Sequence, residues 1–302
     1  MNGKKIFVFA LLLFISMAGN AQEEPAEEPA EEPAEGPAEK PAEVKFNNLL
    51  SVKSALEYNF MFFEQTLREY SFQTNRPWDF GIGIGVKNIS FGFSFSIPFL
   101  YDQNFQKSQS FDINFYHYYK NIGFTYGYAK YYRGFHNDIE GNVELQILNM
   151  SISHEYVYNK DHSLRSVYNL DEKQTISNGS FLLGGGFFLT AIQSDTLSDY
   201  AKTQRTLHFG PNVGYSYTWV FENNCFINLL STIGTNLLLL IDNKDVSFGV
   251  QVLPRFSFGY HGKTWSTNFY VNYSLLTGGY GTDLEYSLLS GNIGLALIKR
   301  FL

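Results

Sequence analysis

Charged and amide side chains recur between apolar neighbours through the body of the chain: Asp112, Asn114, Lys120, Arg133, Glu144, Glu155, Arg165, Glu172 and Arg255. Where apolar and polar residues alternate, one face of a strand gathers such groups. Enclosed inside a barrel, they must be paired or wetted. Two chemistries answer to that set. One is a narrow channel that selects solutes by charge, and the other is an interior filled by its own ion pairs. Tyr116, Tyr118 and Tyr270 fall on the same face and would narrow any pore.

One arrangement for nucleophilic catalysis on a strand is a Ser two residues after a His, so that both project from one face within hydrogen-bond reach, and the other is a cross-strand pair such as Asp and His at a barrel rim. His117, His136, His154, His162, His208 and His261 are followed at that spacing by Tyr119, Asp138, Tyr156, Leu164, Gly210 and Lys263. His136 near Asp138 and His162 beside Asp161 are the local candidates for an acid–base pair, and solvated turn side chains are the commoner meaning of such neighbours. The histidines are too widely spaced for a zinc site. Gly184-Gly185-Gly186 lacks the helix and Lys of a phosphate loop and reads as a strand kink or a close backbone approach. No catalytic, metal-ligating or cofactor-binding residue is assigned, and no cofactor is expected.

The elements that position the polar face are strands. From Asn88 to Phe99, Ile89, Phe91, Phe93, Phe95, Ile97 and Phe99 share one face against Ser90, Gly92, Ser94, Ser96 and Pro98. Turn residues divide the chain into candidate strands over 79–86, 89–99, 108–119, 122–133, 142–158, 162–170, 179–192, 205–221, 224–239, 246–260, 263–275 and 287–302. Two tight turns test the division, because residues flanking a two-residue turn pair on one face. Around Lys87-Asn88, Val86 meets Ile89. Around Lys120-Asn121, Tyr119 meets Ile122 and carries Phe124 and Tyr126 onto the apolar face. Val246 to Tyr260 places Phe248, Val250, Val252, Pro254, Phe256, Phe258 and Tyr260 opposite Gly249, Gln251, Arg255 and Ser257. Between Ile147 and Leu148 the apolar residues move from odd to even positions, which predicts a bulge.

Alternation alone fits a soluble sandwich as well as a membrane barrel. Composition favours the membrane. The chain holds 29 Phe and 21 Tyr, and its best strands keep Gly, Ser, Thr, Asn and charge on the second face, the reverse of a soluble small barrel. The predicted fold is all-β, a transmembrane antiparallel up-and-down barrel of about 12 strands with a disordered N-terminal periplasmic tail. With both ends in the periplasm, this division puts the tight turns at Lys87-Asn88 and Lys120-Asn121 outside, where long loops are expected.

The start of the chain supplies an address. Lys4 and Lys5 precede an apolar run from Ile6 to Ala18, and Gly19-Asn20-Ala21 follows. This reads as a signal peptide over 1–21, too short for the roughly 20 residues of a membrane-spanning helix. Residues 22–43 repeat Glu-Glu-Pro-Ala and its variants, an extended and disordered acidic linker able to hold a periplasmic partner. The formal net charge of −7 belongs to this tail, so nucleic acid is not an expected partner. Residues 44–76 read as a short amphipathic element near the barrel mouth, and 77–302 as the barrel. The single cysteine, Cys225, permits no intrachain disulfide. Leu295 to Leu302 resembles the terminal strand read by the outer-membrane assembly machinery, with Leu302 in place of an aromatic.

Three blocks carry a family likeness. They are Phe111-Asp112-Ile113-Asn114-Phe115-Tyr116 with Tyr131-Tyr132-Arg133-Gly134-Phe135; Ser163-Leu164-Arg165-Ser166 with Gln174 and Ser177 to Gly184; and Gly214-Tyr215-Ser216-Tyr217-Thr218. In this order they resemble a Bacteroidetes-type outer-membrane barrel family of unknown function, over roughly 76–302. The resemblance implies the barrel, outer-membrane lipid around it and the outer membrane of a Gram-negative bacterium. It assigns no catalytic residue.

Overall fold

A side-chain period of two turns most of this chain into strands. The computed structural model describes residues 50–65, 70–74, 78–97, 109–119, 122–137, 141–168, 172–194, 204–242, 245–279 and 285–301. The expected leader, the acidic repeat and Lys120 lie outside the described residues. The strands are β1 Leu50–Gln65, β2 Tyr70–Thr74, β3 Trp78–Val86, β4 Ile89–Ser96, β5 Gln109–Tyr119, β6 Gly123–Asn137 and β7 Gly141–Val157. After a short helix, α1 Leu164–Tyr168, follow β8 Asn178–Ser194, β9 Gln204–Val220, β10 Cys225–Leu240, β11 Asp245–His261, β12 Trp265–Gly278 and β13 Tyr286–Phe301.

Each strand pairs antiparallel with the next around a ring, and β1 closes it against β13, from Leu50 opposite Phe301 to Gln65 opposite Tyr286. The result is a closed barrel of 12 strands, which leaves no unpaired edge. The remaining strand, β2, pairs with the far end of β1 and the far end of β6. It bridges the gap above the shorter β3, β4 and β5, so the ring narrows at that end.

The expected strand count holds, but one member is replaced. Residues 50–65, expected as an amphipathic element outside the barrel, are its closing strand, and residues 164–168, expected within a strand, are helical. This exchange removes the orientation conflict. Counting from β1, the connections 87–88, 120–122, 158–177, 221–224 and 262–264 all lie at the end where β1 starts and β13 finishes, the turn side. The connections 97–108, 195–203 and 279–285 lie at the opposite end, the loop side.

Two further expectations on register are corrected. Val86 does pair with Ile89, with Lys87 in the left-handed region at φ 52°. At the next turn, however, Tyr119 pairs with Gly123 and not Ile122, so the connection is one residue longer than expected. Since a one-residue slip inverts every side chain, Phe124 and Tyr126 turn inward and Arg133 turns outward. Strand β7 keeps one parity throughout, Val143, Leu145, Ile147, Asn149, Ser153 and Glu155 all being buried. The bulge lies in its partner, between Arg133 and Phe135, where Gly134 takes φ 81°.

The outward face is apolar: Ile82, Phe91, Phe187 and Leu295 are each at least half exposed. At its turn-side border stand Tyr119, Tyr156, Trp219, Tyr260 and Trp265, all exposed aromatics. Inside, two different layers meet. Met61, Phe63, Phe72, Phe135, Leu145 and Phe188 belong to a buried apolar cluster drawn from the loop-side ends of the strands. Below it the wall residues are mainly Ser, Thr, Asn and charge.

Candidate functional site

The site is the polar interior and the segment that enters it. Residues 158–168 leave β7 at the turn side and fold back among the strand walls, where Leu164, Ser166 and Val167 of α1 are buried, and residues 172–177 lead into β8. Local hydrogen bonds shape this segment. The Ser163 hydroxyl donates to Glu172, the Ser163 amide donates to Gln174 Oε1 at 2.8 Å, and Gln174 Nε2 donates to the carbonyls of Asp161 and Ile176 at 2.9 and 3.1 Å. Ser163 also accepts from the Ser166 amide at 3.1 Å, a side-chain cap that starts the helical turn.

Contacts from several strands hold the segment in the mouth. Arg165 donates to the Lys87 carbonyl and to Asn88 Oδ1 of the β3–β4 turn, and its guanidinium lies over Tyr118. Lys173 Nζ donates to Asn224 in the β9–β10 turn. The Tyr168 ring stacks among Phe124, Tyr116 and Tyr126 at centroid distances of 4.7, 5.7 and 6.5 Å. From β11, Arg255 donates to the Val167 carbonyl at 3.2 Å and to Asn272 Oδ1 at 2.7 Å, and it covers Tyr168 at 4.5 Å. A planar guanidinium serves all three contacts at once.

His162 is part of this seal. Its Nε2 lies 2.9 Å from Ser216 Oγ, and burial lowers its pKa to about 4, so it is neutral at pH 7. The pair has the spacing of a base and a nucleophile, yet both residues are buried, and Asn228 Nδ2 lies against the same hydroxyl at 3.2 Å. The contact pins the segment to β9. For the other histidine candidate, His136, the neighbour Asp138 lies outside the described residues.

Of the groups expected to line the lumen, Asp112, Asn114, Glu155 and Arg255 face inward. Asp112 pairs with Lys130 at 3.6 Å, and Asn212 Nδ2 donates to Glu155 at 2.8 Å. Arg165 and Glu172 lie on the inserted segment and not on the wall. Arg133 and Glu144 are corrected: both point outward and meet each other at 3.5 Å, Arg133 because β6 carries the opposite parity to the one expected, and Glu144 because its neighbours Val143, Leu145 and Ile147 on β7 face inward. Lys53, Glu57 and Lys130 are interior charges that the sequence reading missed. The Tyr270 hydroxyl donates to Glu57, while Lys53 Nζ and the Arg255 guanidinium lie 5.1 and 5.3 Å from the centre of that same ring. The signal for Lys53 and Glu57 was their even spacing from Ser51 and Asn59, which places all four on one strand face.

Residues 44–301 match the family model described as a domain of unknown function, DUF4421. No curated protein matches the chain. Among solved structures, the translocator domain of the autotransporter NalP from Neisseria meningitidis is similar at 14% identity and a TM-score of 0.46, over 83% of this chain and 88% of that one. The outer membrane protease OmpT from Escherichia coli is similar at 7% identity and a TM-score of 0.41, over 87% and 99%. A bacterial polysaccharide outer membrane secretin is similar at 9% identity and a TM-score of 0.39, over 84% and 99%.

Proposed function

The chain belongs to the DUF4421 family of domains of unknown function, and we propose that it is an outer-membrane barrel whose lumen is closed at both ends in its resting form. The single observation that carries this reading is the inward fold of residues 158–168, latched by Arg255 over Tyr168. The apolar cluster around Phe63 and Phe188 stops the other end. A barrel of this strand number has room for a narrow pore, but side chains and the inserted segment occupy it here. The exposed apolar wall, bordered by aromatics at the turn side, suits hydrocarbon flanked by a headgroup layer. With both barrel termini on the periplasmic side, the turn side faces the periplasm.

Reconstitution tests both parts. Folded protein in lipid vesicles should resist extraction by carbonate, and the vesicles should retain a small trapped dye. Release of the dye through intact protein would contradict the closed lumen. Phe187→Arg, midway along β8 on the outward face, should cost about 2–4 kcal/mol of folding free energy in lipid. Equal stability of Phe187→Arg and the unaltered protein in vesicles would contradict the membrane assignment.

A further inference from the structure

Strand β6 turns its smallest side chains outward: Gly123, Thr125, Gly127 and Ala129 share its exterior face. Their partners across the ladder are larger. Tyr119, His117, Phe115 and Ile113 flank them on β5, and Tyr156, His154, Ile152 and Met150 flank them on β7. The outer wall therefore carries a groove one strand wide, floored by β6 and walled by β5 and β7. From Gly123 to Ala129 it runs about 20 Å along the strand. At the tilt of barrel strands this is a depth of about 15 Å, half of a hydrocarbon core of roughly 30 Å. Tyr131, the next outward residue of β6, closes the far end, its hydroxyl donating to Gln146 Oε1 at 3.2 Å.

The groove is polar at one end only. His154 Nδ1 lies 2.8 Å from Thr125 Oγ1. The ring lies over Gly123, where a Cβ would come within 3.2 Å of His154 Cε1 and 3.6 Å of Tyr119 Cβ, so this close approach depends on the glycine. With Nδ1 engaged by Thr125, Nε2 is left for a second partner. His117 faces Thr125 from the other wall, and Tyr156 stands beside Gly123; neither has a hydrogen-bond partner among the described residues. These groups sit at the level of Tyr119 and Tyr156, in the exposed aromatic border of the turn side. Beyond them the walls are Phe115, Ile113, Ile152 and Met150. On a surface surrounded by lipid, hydrogen-bonding groups at this depth are best met by the polar end of a molecule whose remainder is apolar. A second copy of the chain fits less well, because a two-fold contact centred here would set groove against groove and leave both unfilled.

We propose that this groove binds one phospholipid of the periplasmic leaflet, its phosphate accepting hydrogen bonds from His117, His154 and Tyr156 and one acyl chain lying over Gly127 and Ala129 as far as Tyr131. Hydrogen bonds to an ionised phosphate are about twice as strong as neutral ones, so the headgroup supplies selectivity while the chain supplies buried area. The site rests on the reading of the outer wall as lipid-facing, and the two fail separately. A barrel that inserts stably into vesicles but holds no lipid in detergent loses this site and keeps its membrane assignment.

Native mass spectrometry of the folded full-length protein in dodecyl maltoside, titrated with dioleoyl phosphatidylglycerol or with dioleoylglycerol, tests it. One phosphatidylglycerol should be retained per barrel, and dioleoylglycerol, which lacks the phosphate, should bind about tenfold more weakly or worse. His117→Leu combined with His154→Leu should weaken phosphatidylglycerol by about tenfold or more. Ala129→Phe, which fills the chain end of the groove, should weaken both lipids while the barrel keeps its folded electrophoretic mobility. Val250→Leu, on the outward face of β11, should bind as the unaltered protein does. No retained lipid, equal affinity for the two lipids, unchanged binding in the histidine variant or in Ala129→Phe, or a mass of two copies without lipid would overturn the assignment. If the histidine variant does not fold, Ala129→Phe decides.

Discussion

The two ends of the interior are stopped by different means. At the loop side the stopper is part of the wall: Met61, Phe63, Leu145, Phe188 and Leu288 come from strands whose backbones are hydrogen-bonded on both sides. At the turn side it is a single connection, 158–177, held by Arg255, Arg165, Lys173, His162 and the Tyr168 stack. The first cannot leave without unfolding the sheet. The second can leave while every strand stays paired. Apolar packing thus fixes one end permanently, and a set of polar and aromatic contacts makes the other end separable.

Mutations at the two ends should therefore differ in kind as well as in size. Phe188→Ala in the apolar layer should cost about 3–5 kcal/mol of barrel stability, read as a shift in the urea unfolding midpoint in detergent. A shift confined to the inserted segment would break the comparison. Arg255→Met should weaken docking of the segment by about 1–3 kcal/mol, leaving the Val167 carbonyl without its donor, and should speed protease cleavage within 158–177 with little change in the unfolding midpoint. Equal losses in both readouts would mean that the segment and the wall unfold as one unit.

A smaller effect sharpens the comparison through pH. The pKa of His162 is lowered by burial from 6.5 to about 4, so the docked segment excludes the proton that the released segment would take up. Docking is then at full strength above pH 6.5 and weakens as pH falls from 6.5 toward 4. Cleavage within 158–177 should rise over that window in the unaltered protein, and His162→Gln should flatten the rise. A rise of equal size in His162→Gln would assign the pH dependence to another group.

Much of the barrel was legible in the sequence, and the failures share a cause. The β3–β4 hairpin, β11 and β12 keep apolar residues outside and small or polar ones inside, so their faces read correctly from the period of two. That signal fades where the interior is itself apolar. In β1, Met61 and Phe63 point into the loop-side cluster between outward Phe60 and Phe62, which erases the alternation and imitates helical spacing. In β7, inward Val143, Leu145 and Ile147 followed by outward Leu148, Met150 and Ile152 imitate a bulge. That imitation misplaced Glu144, and one unseen residue in the 120–122 turn inverted β6, which misplaced Arg133. The inserted segment was hidden for another reason. Leu164, Val167 and Tyr168 pack inside the barrel, so their pattern resembles a strand of the same composition. Asp112, Asn114, Glu155 and Arg255 were found because they sit in strands where alternation survives. Lys53 and Glu57 were missed because β1 was not recognised as wall.

Planar-bilayer conductance of the intact protein beside a variant in which residues 162–173 are replaced by a Gly/Ser linker tests the separable turn-side seal most directly. The intact barrel should carry no steady current. The variant should stay folded and give brief or noisy openings, limited by the apolar layer that remains. A steady open-channel current through the intact protein, equal in the variant, would contradict the closed lumen.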